Sequence, residues 1–171
     1  DVRIPLILMG YLNPIMKFGF EAFCQKCVEC GIDGVIIPDL PFKDYEETYK
    51  PIADRYDIRV IMLITPETSE ARVREIDEHT DGFIYMVSSA ATTGAQKDFD
   101  SQKQAYFKKI QDMHLRNPRM VGFGISNKQT FDAACANSSG AIIGSRFVTL
   151  LNEAEGDAEK AITQLKEGLK K

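Results

Sequence analysis

The chain has 171 residues, 44% hydrophobic and 27% charged, with 21 Lys and Arg set against 25 Asp and Glu for a net charge of −4. That composition suits one buried core and is too short for two ordinary domains; without a Lys/Arg cluster, nucleic acid and anionic membrane surfaces are poor partners. The longest apolar runs, such as Val60–Ile64, cannot span a bilayer, and the opening DVRIPLILMGY does not read as a secretory leader, so a cytoplasmic protein is expected.

Short apolar runs alternate with longer amphipathic ones. Pro5–Tyr11 predicts a strand running into GYLNPI, and Phe18–Cys30 predicts a helix, because Phe20, Phe23, Cys24, Cys27 and Val28 recur with helical period. Cys24, Cys27 and Cys30 have a spacing found in iron–sulfur ligand runs. At i, i+3 and i+6 on one helix, however, they drift round the cylinder instead of converging. They are expected to be small buried hydrophobes, and neither a metal site nor disulfides are expected. Gly34–Pro38 predicts the second strand. Lys43–Tyr56 predicts a polar-faced helix that Pro51 should kink or split. Strand Arg59–Ile64 precedes helix Ser69–His79, and strand Gly82–Val87 precedes a loop and helix Ser101–Arg116. Strand Arg119–Phe123, helix Lys128–Ala136, strand Ala141–Ile143 and helix Ala158–Lys170 complete the series.

The strand runs are continuously apolar, as parallel strands covered on both faces should be. With no linker or low-complexity segment, residues 1–171 read as one α/β domain. Two architectures fit: an open doubly wound sheet, or most of a (β/α)₈ TIM barrel. An open sheet carries its glycine-rich turn after the first strand. Here GFGIS and GSRF follow the last two strands, where barrels often hold phosphate after strands seven and eight. Counting backwards makes Pro5–Tyr11 strand three. The expectation is therefore an incomplete barrel with strands 3–8, lacking the first two βα units.

Ligand groups in such barrels sit at the carboxyl ends of strands. Those ends offer Tyr11 and Asn13, Asp39, Thr65 and Glu67, Tyr85, Gly122, Gly124 and Ser126, and Gly144 with Ser145. Gly122 and Gly124 would let backbone approach an anion, while Gly144 and Ser145 would present amide N–H groups to it. The bland alternative is an ordinary tight turn at each. Loop Ser88–Gln96 reads as a lid whose Thr93 and Gly94 close over ligand, or as a solvated connection. Asp39, bracketed by Pro38 and Pro41, could be a general base, a ligand contact, or the cap of the next helix or turn. Arg146 could reach phosphate or point outward. His79 and His114 read as solvent-facing, and neither zinc nor Ser-His-Asp chemistry is supported.

PLILMGYLNPI, GIDGVIIPDLP, TGA, GFGIS and GAIIGS, in that order from about Ile4 to Val148, resemble the tryptophan synthase alpha chain family. The resemblance implies cofactor-free retro-aldol cleavage of indole-3-glycerol phosphate to indole and glyceraldehyde 3-phosphate. It implies phosphate contacts from Gly94, Gly122, Gly124, Gly144 and Ser145, a pocket lined by Tyr85, and a lid closed by Thr93. Tyr11 and Asp39 would lie beside the indole end. Asn13 and Pro41 would face a pyridoxal-phosphate beta chain in an alpha2-beta2 assembly. The family's acid–base glutamate and indole-binding aspartate would precede Asp1, leaving no catalytic residue among these 171 and an expectation of inactivity alone. The lid has Ala91 where many members carry glycine. The rival readings are a sugar-phosphate isomerase or epimerase on the same barrel, and a non-catalytic module that binds phosphate or a partner.

Overall fold

The computed structural model describes residues 3–88, 101–122 and 124–170. Its contacts divide the chain into two compact units, Asp1–Leu63 with Ser69–Ile84, and Ile64–Thr68 with Tyr85–Lys171.

The first unit is built on strands β1 (Ile7–Met9), β2 (Gly34–Ile36) and β3 (Arg59–Ile61), in that spatial order. Both pairings are parallel, with Leu8 opposite Val35 and Val35 opposite Val60. Val35, Ile37, Val60 and Ile61 are buried, and helix α2 (Phe20–Glu29) lays Cys24 and Cys27 into the same apolar interior. Among the described residues only one edge of β1 is paired, and Ile7, Leu8 and Met9 are 37%, 45% and 54% exposed. The expectation that every strand is covered on both faces therefore fails at β1.

Three local differences from expectation have physical causes. A helix, α1 (Leu12–Phe18), precedes α2, and Gly19 at φ +93° separates them; the residue without a Cβ takes the break. The expected helix around Pro51 is continuous but changes its winding. Helix α3 (Phe42–Asp44) runs into a π turn at Tyr45–Tyr49 and then into α4 (Lys50–Arg55), with Pro51 in the first turn of α4. A proline has no N–H and crowds the carbonyl four residues back, and the wider turn just before it accommodates both facts. The strand expected over Arg59–Ile64 is interrupted at Met62 and continues as β4 (Leu63–Ile64).

The second unit is organised on β4, β5 (Ile84–Val87), β6 (Arg119–Gly122) and β7 (Gly140–Ala141), in the order β4-β5-β6-β7. Met86, Phe107 and Val121 are fully buried, with Phe107 supplied by α6 (Ser101–Asp112). Helix α7 (Lys128–Cys135) buries Thr130 and Ala134. Beyond β7, helices α8 (Ser145–Glu153) and α9 (Ala158–Gly168) enclose Leu150, Ala154 and Ala161 against Phe147, Leu151 and Leu165. Helix α8 begins at Ser145, where the sequence places a helix dipole after the last strand without setting the helix's extent. In the first unit, helix α5 (Glu70–His79) is capped by Ser69, whose hydroxyl accepts from the Arg72 N–H.

In both sheets sequential strands are spatial neighbours. A doubly wound sheet would reverse its order at a switch point, whereas singly wound βα units run in one direction as they do in a barrel. No helix among the described residues is long and apolar enough to cross a membrane.

Candidate functional site

Parallel pairing sets Met120 opposite Gly140 and Val121 opposite Ala141, and the Ile142 N–H continues the ladder to the Val121 carbonyl at 2.8 Å. The loops that follow β6 and β7 consequently leave the same end of the sheet. This is where sequence places the phosphate glycines, and the structure gives each a different setting.

Gly122 closes β6 and is buried. A Cβ there would lie 2.0 Å from the Tyr85 Oη and 2.2 Å from its Cζ. The space a side chain would take at Gly122 is filled by the Tyr85 ring, which is 5% exposed. Burial raises the Tyr85 phenol above its ordinary pKa. The Gly122 carbonyl accepts from the Ser88 N–H at 3.2 Å, tying the start of the next loop to β6. Gly124 adopts a positive φ, +79°, and is exposed; a Cβ there would lie 3.9 Å from the Ser88 hydroxyl.

Past Gly124 a reciprocal cap occupies amides that sequence reasoning left open. Thr130 Oγ1 accepts from the Ser126 and Asn127 N–H groups at 3.1 and 3.2 Å, while Asn127 Oδ1 accepts from the Thr130 N–H at 2.9 Å. The signal is readable afterwards in N-x-x-T ahead of an apolar helix face. Ser126 is thereby spent on its own helix.

The N-terminus of α8 is arranged differently. Gly144, its cap, makes no side-chain hydrogen bond, and no atom lies within 4 Å of where a Cβ would be. The first helical bond is from the Val148 N–H to the Gly144 carbonyl at 3.1 Å. Among the described residues, no acceptor is in place for the Ser145, Arg146 and Phe147 N–H groups. Side chains cap α5, α7 and α9, through Ser69, Asn127 and Asp157. Helix α8 thus presents three outward amides and the positive end of its dipole at the carboxyl end of β7, a suitable cradle for a dianion. Arg146 is directed toward Glu153, with Nη1 3.9 Å from the carboxylate, not toward this cradle.

At the other candidate position, in the first unit, Asp39 meets the loop after β1. A turn closed by the Leu40 N–H on the Ile37 carbonyl (3.1 Å) holds Pro38 and Asp39 at its corner. Asp39 Oδ1 accepts from the Leu12 N–H at 2.9 Å. Its capping role is therefore on a helix 27 positions earlier, not on the next one. Tyr11 is 68% exposed, and Asn13 and Pro41 are also exposed.

The remaining expectations divide as follows. Ala91, Thr93 and Gly94 lie outside the described residues. Glu67 is exposed in a Thr65–Thr68 turn two residues ahead of the α5 cap. Its charge adds to burial in raising the Tyr106 phenol. Cys24 and Cys27 are buried, but Cys30 is exposed because the i+6 position has turned off the apolar face. Among the described residues no cluster of His, Cys, Asp and Glu could hold a metal ion. His79 is not purely solvent-facing: Nδ1 pairs with Glu46, and the ring meets Phe42 edge-on at 6.3 Å.

Sequentially ordered strands with parallel pairing and intervening helices, together with a helix whose first-turn amides are open beyond the last strand, define βα units of the (β/α)₈-barrel class. Comparison with known proteins narrows this class. The family model described as "Tryptophan synthase alpha chain" matches residues 1–171, and the chain belongs to that family. It is 80% identical over 166 residues to the tryptophan synthase alpha chain of Bacteroides fragilis, covering 97% of this chain and 63% of that one. Identity to the Bacteroides thetaiotaomicron alpha chain is 78% over 170 residues, covering 99% and 66%. Among solved structures, the Pyrococcus furiosus alpha subunit superposes with a TM-score of 0.82 at 27% identity, covering 96% of this chain and 66% of that one. The Legionella pneumophila alpha chain gives 0.81 at 30% identity, covering 99% and 62%. The chain therefore spans a little under two thirds of the length of these relatives.

Proposed function

We propose that this chain carries the phosphate-holding end of a tryptophan synthase alpha subunit, a carbon–carbon lyase of tryptophan biosynthesis in the cytoplasm. The substrate would be indole-3-glycerol phosphate. In the retro-aldol step a base removes the proton of the glycerol hydroxyl next to the ring, and the bond from that carbon to indole C3 breaks. The hydroxyl carbon becomes the aldehyde of glyceraldehyde 3-phosphate, and a proton is delivered to indole C3. No redox change occurs, and no cofactor is needed in this subunit. Pyridoxal phosphate would belong to a beta-chain partner that docks at Asn13 and Pro41 in an alpha2-beta2 assembly. A structure of a tryptophan synthase complex from Pyrococcus furiosus lies among the matches, with a TM-score of 0.81 at 26% identity.

The observation that carries this reading is the uncapped first turn of α8 at the carboxyl end of β7. Gly144, Ser145 and the following amides would hold the phosphate, with Gly124 beside them and Thr93 and Gly94 closing over it. Tyr85, fixed by Gly122, would form the wall toward the reacting carbons, and Tyr11 and Asp39 would stand toward the indole end. Both units would belong to one barrel domain. The proton-shuttling carboxylates would not be among these 171 residues.

Titration of the chain with glycerol 3-phosphate, followed by amide NMR, tests the phosphate end. Shifts should centre on Ser145, Arg146 and Phe147; saturation without any change there refutes the assignment. Incubation with indole-3-glycerol phosphate should release no indole from the chain alone. Turnover at an ordinary enzymatic rate would show that the proton shuttle does lie within it.

A further inference from the structure

We infer that Asp39 is a positioning residue that acts through Leu12, linking the loop after β2 to the loop after β1, and is not a proton carrier. This deepens the proposed function, on which it rests for the meaning of the Tyr11 end.

The link has a built geometry. The Gly10 N–H donates to the carbonyl of Ile36, the last residue of β2, at 3.1 Å, extending the β1–β2 ladder one residue past β1. The chains then diverge, one into α1 and the other into the turn that carries Asp39. Tyr11, the N-cap of α1, is extended at φ −85° and ψ 152° and makes no side-chain hydrogen bond to the helix. The Leu12 N–H, the first of the helix, has no acceptor within its own turn and would otherwise be left to water. Asp39 supplies the missing acceptor from a different loop. Pro38 fixes φ at the corner of the turn, and the Leu40 N–H closes it. The carboxylate, although exposed, is therefore aimed by a stiff segment.

Asp33 has the matching position at the other end. Its Oδ2 accepts from the Leu6 N–H at 2.7 Å, again across 27 residues. Strand β1 is three residues long and, among the described residues, paired on one side, so each flank is anchored to β2 by a carboxylate outside the ladder. At the carboxyl end the anchored residue lies between Tyr11 and Asn13, both exposed. A displacement of the Pro38–Pro41 turn would be transmitted to them through one charge-assisted hydrogen bond.

An Asp39→Asn substitution separates the two roles. The amide keeps an Oδ1 acceptor in place but cannot take up a proton in the catalytic pH range. Asp39→Ala removes both. Amide exchange at Leu12 in the ¹⁵N-labelled chain should rise about tenfold in Asp39→Ala, the population change expected from losing one such bond. Chemical-shift changes should be confined to Tyr11–Asn13 and the turn. Asp39→Asn should bring the Leu12 exchange rate back to within about threefold of the unsubstituted chain, because a neutral acceptor keeps roughly half the strength of a charge-assisted bond. An unchanged Leu12 amide in Asp39→Ala, or no recovery in Asp39→Asn, overturns the inference. Glycerol 3-phosphate added to each variant should still shift Ser145–Phe147. A failure there would count against the phosphate site and not against the Asp39 link.

Discussion

Substituting Gly122 by alanine is the sharpest structural test of the Tyr85 wall. The new Cβ would sit 2.0, 2.2 and 2.4 Å from the Tyr85 Oη, Cζ and Cε1, so it would collide with the ring and not only with its hydroxyl. Restoring ordinary contact needs a movement of about 1.5 Å, well beyond the few tenths that packed interiors yield. If β6 shifts and the ring stays, the strain costs about 1–3 kcal/mol. If the ring leaves, it forfeits the burial of an aromatic side chain, roughly 150–250 Å² at about 25 cal/mol per Å², or about 4–6 kcal/mol. The cheaper route sets the outcome, and its upper end, about 3 kcal/mol, is expected because the ring is locked between β5 and β6. Urea denaturation followed by circular dichroism measures this as a lowered midpoint at unchanged slope. Removing the hydroxyl in Tyr85→Phe should not rescue Gly122→Ala, because Cζ and Cε1 remain in the way. In Tyr85→Ala, by contrast, adding Gly122→Ala should cost under about 1 kcal/mol more, a clear departure from additivity. A Gly122→Ala loss below about 1 kcal/mol, or full rescue by Tyr85→Phe, would refute the steric argument.

Two further outcomes follow from neighbouring features. Gly144→Asp should stabilise the chain while weakening its hold on phosphate: nothing obstructs the new side chain, and its carboxylate would cap the open amides of α8. A gain of about 0.5–1 kcal/mol is expected, together with loss of glycerol 3-phosphate binding by calorimetry; unchanged affinity would argue that the ligand sits elsewhere. Alkaline stability should also fall. Burial and the neighbouring Cys27 hold the Cys24 thiol up at about 11 against an ordinary 9.0, and burial raises the phenols of Tyr45, Tyr85 and Tyr106. The folded chain keeps protons that the unfolded chain loses, so stability is full below pH 9 and declines as pH rises toward 11. Urea midpoints between pH 8 and 11 measure it, and a midpoint that stays level or rises would contradict it.

Much of this protein was legible in its sequence because it depends on local pattern. Continuous apolar runs bounded by amphipathic stretches fix parallel βα units, since a strand buried on both faces has no use for alternation. All six expected strands occur, and GFGIS and GSRF do follow the last two. The family motifs were equally plain, and the match over residues 1–171 agrees with them. What sequence could not supply was the partner of each group across space. Gly122 looked like open backbone, and only the adjacent strand shows that Tyr85 fills the gap. Asp39 looked like the start of the next element, yet its acceptor role lies 27 residues back, where parallel pairing brings the two loops together. The three cysteines share one spacing, but the turn of the helix buries two and exposes the third. Period and turn chemistry are properties of a few consecutive residues. Which side chain occupies a vacancy, and which carboxylate meets an orphan amide, is decided when separate strands are laid side by side.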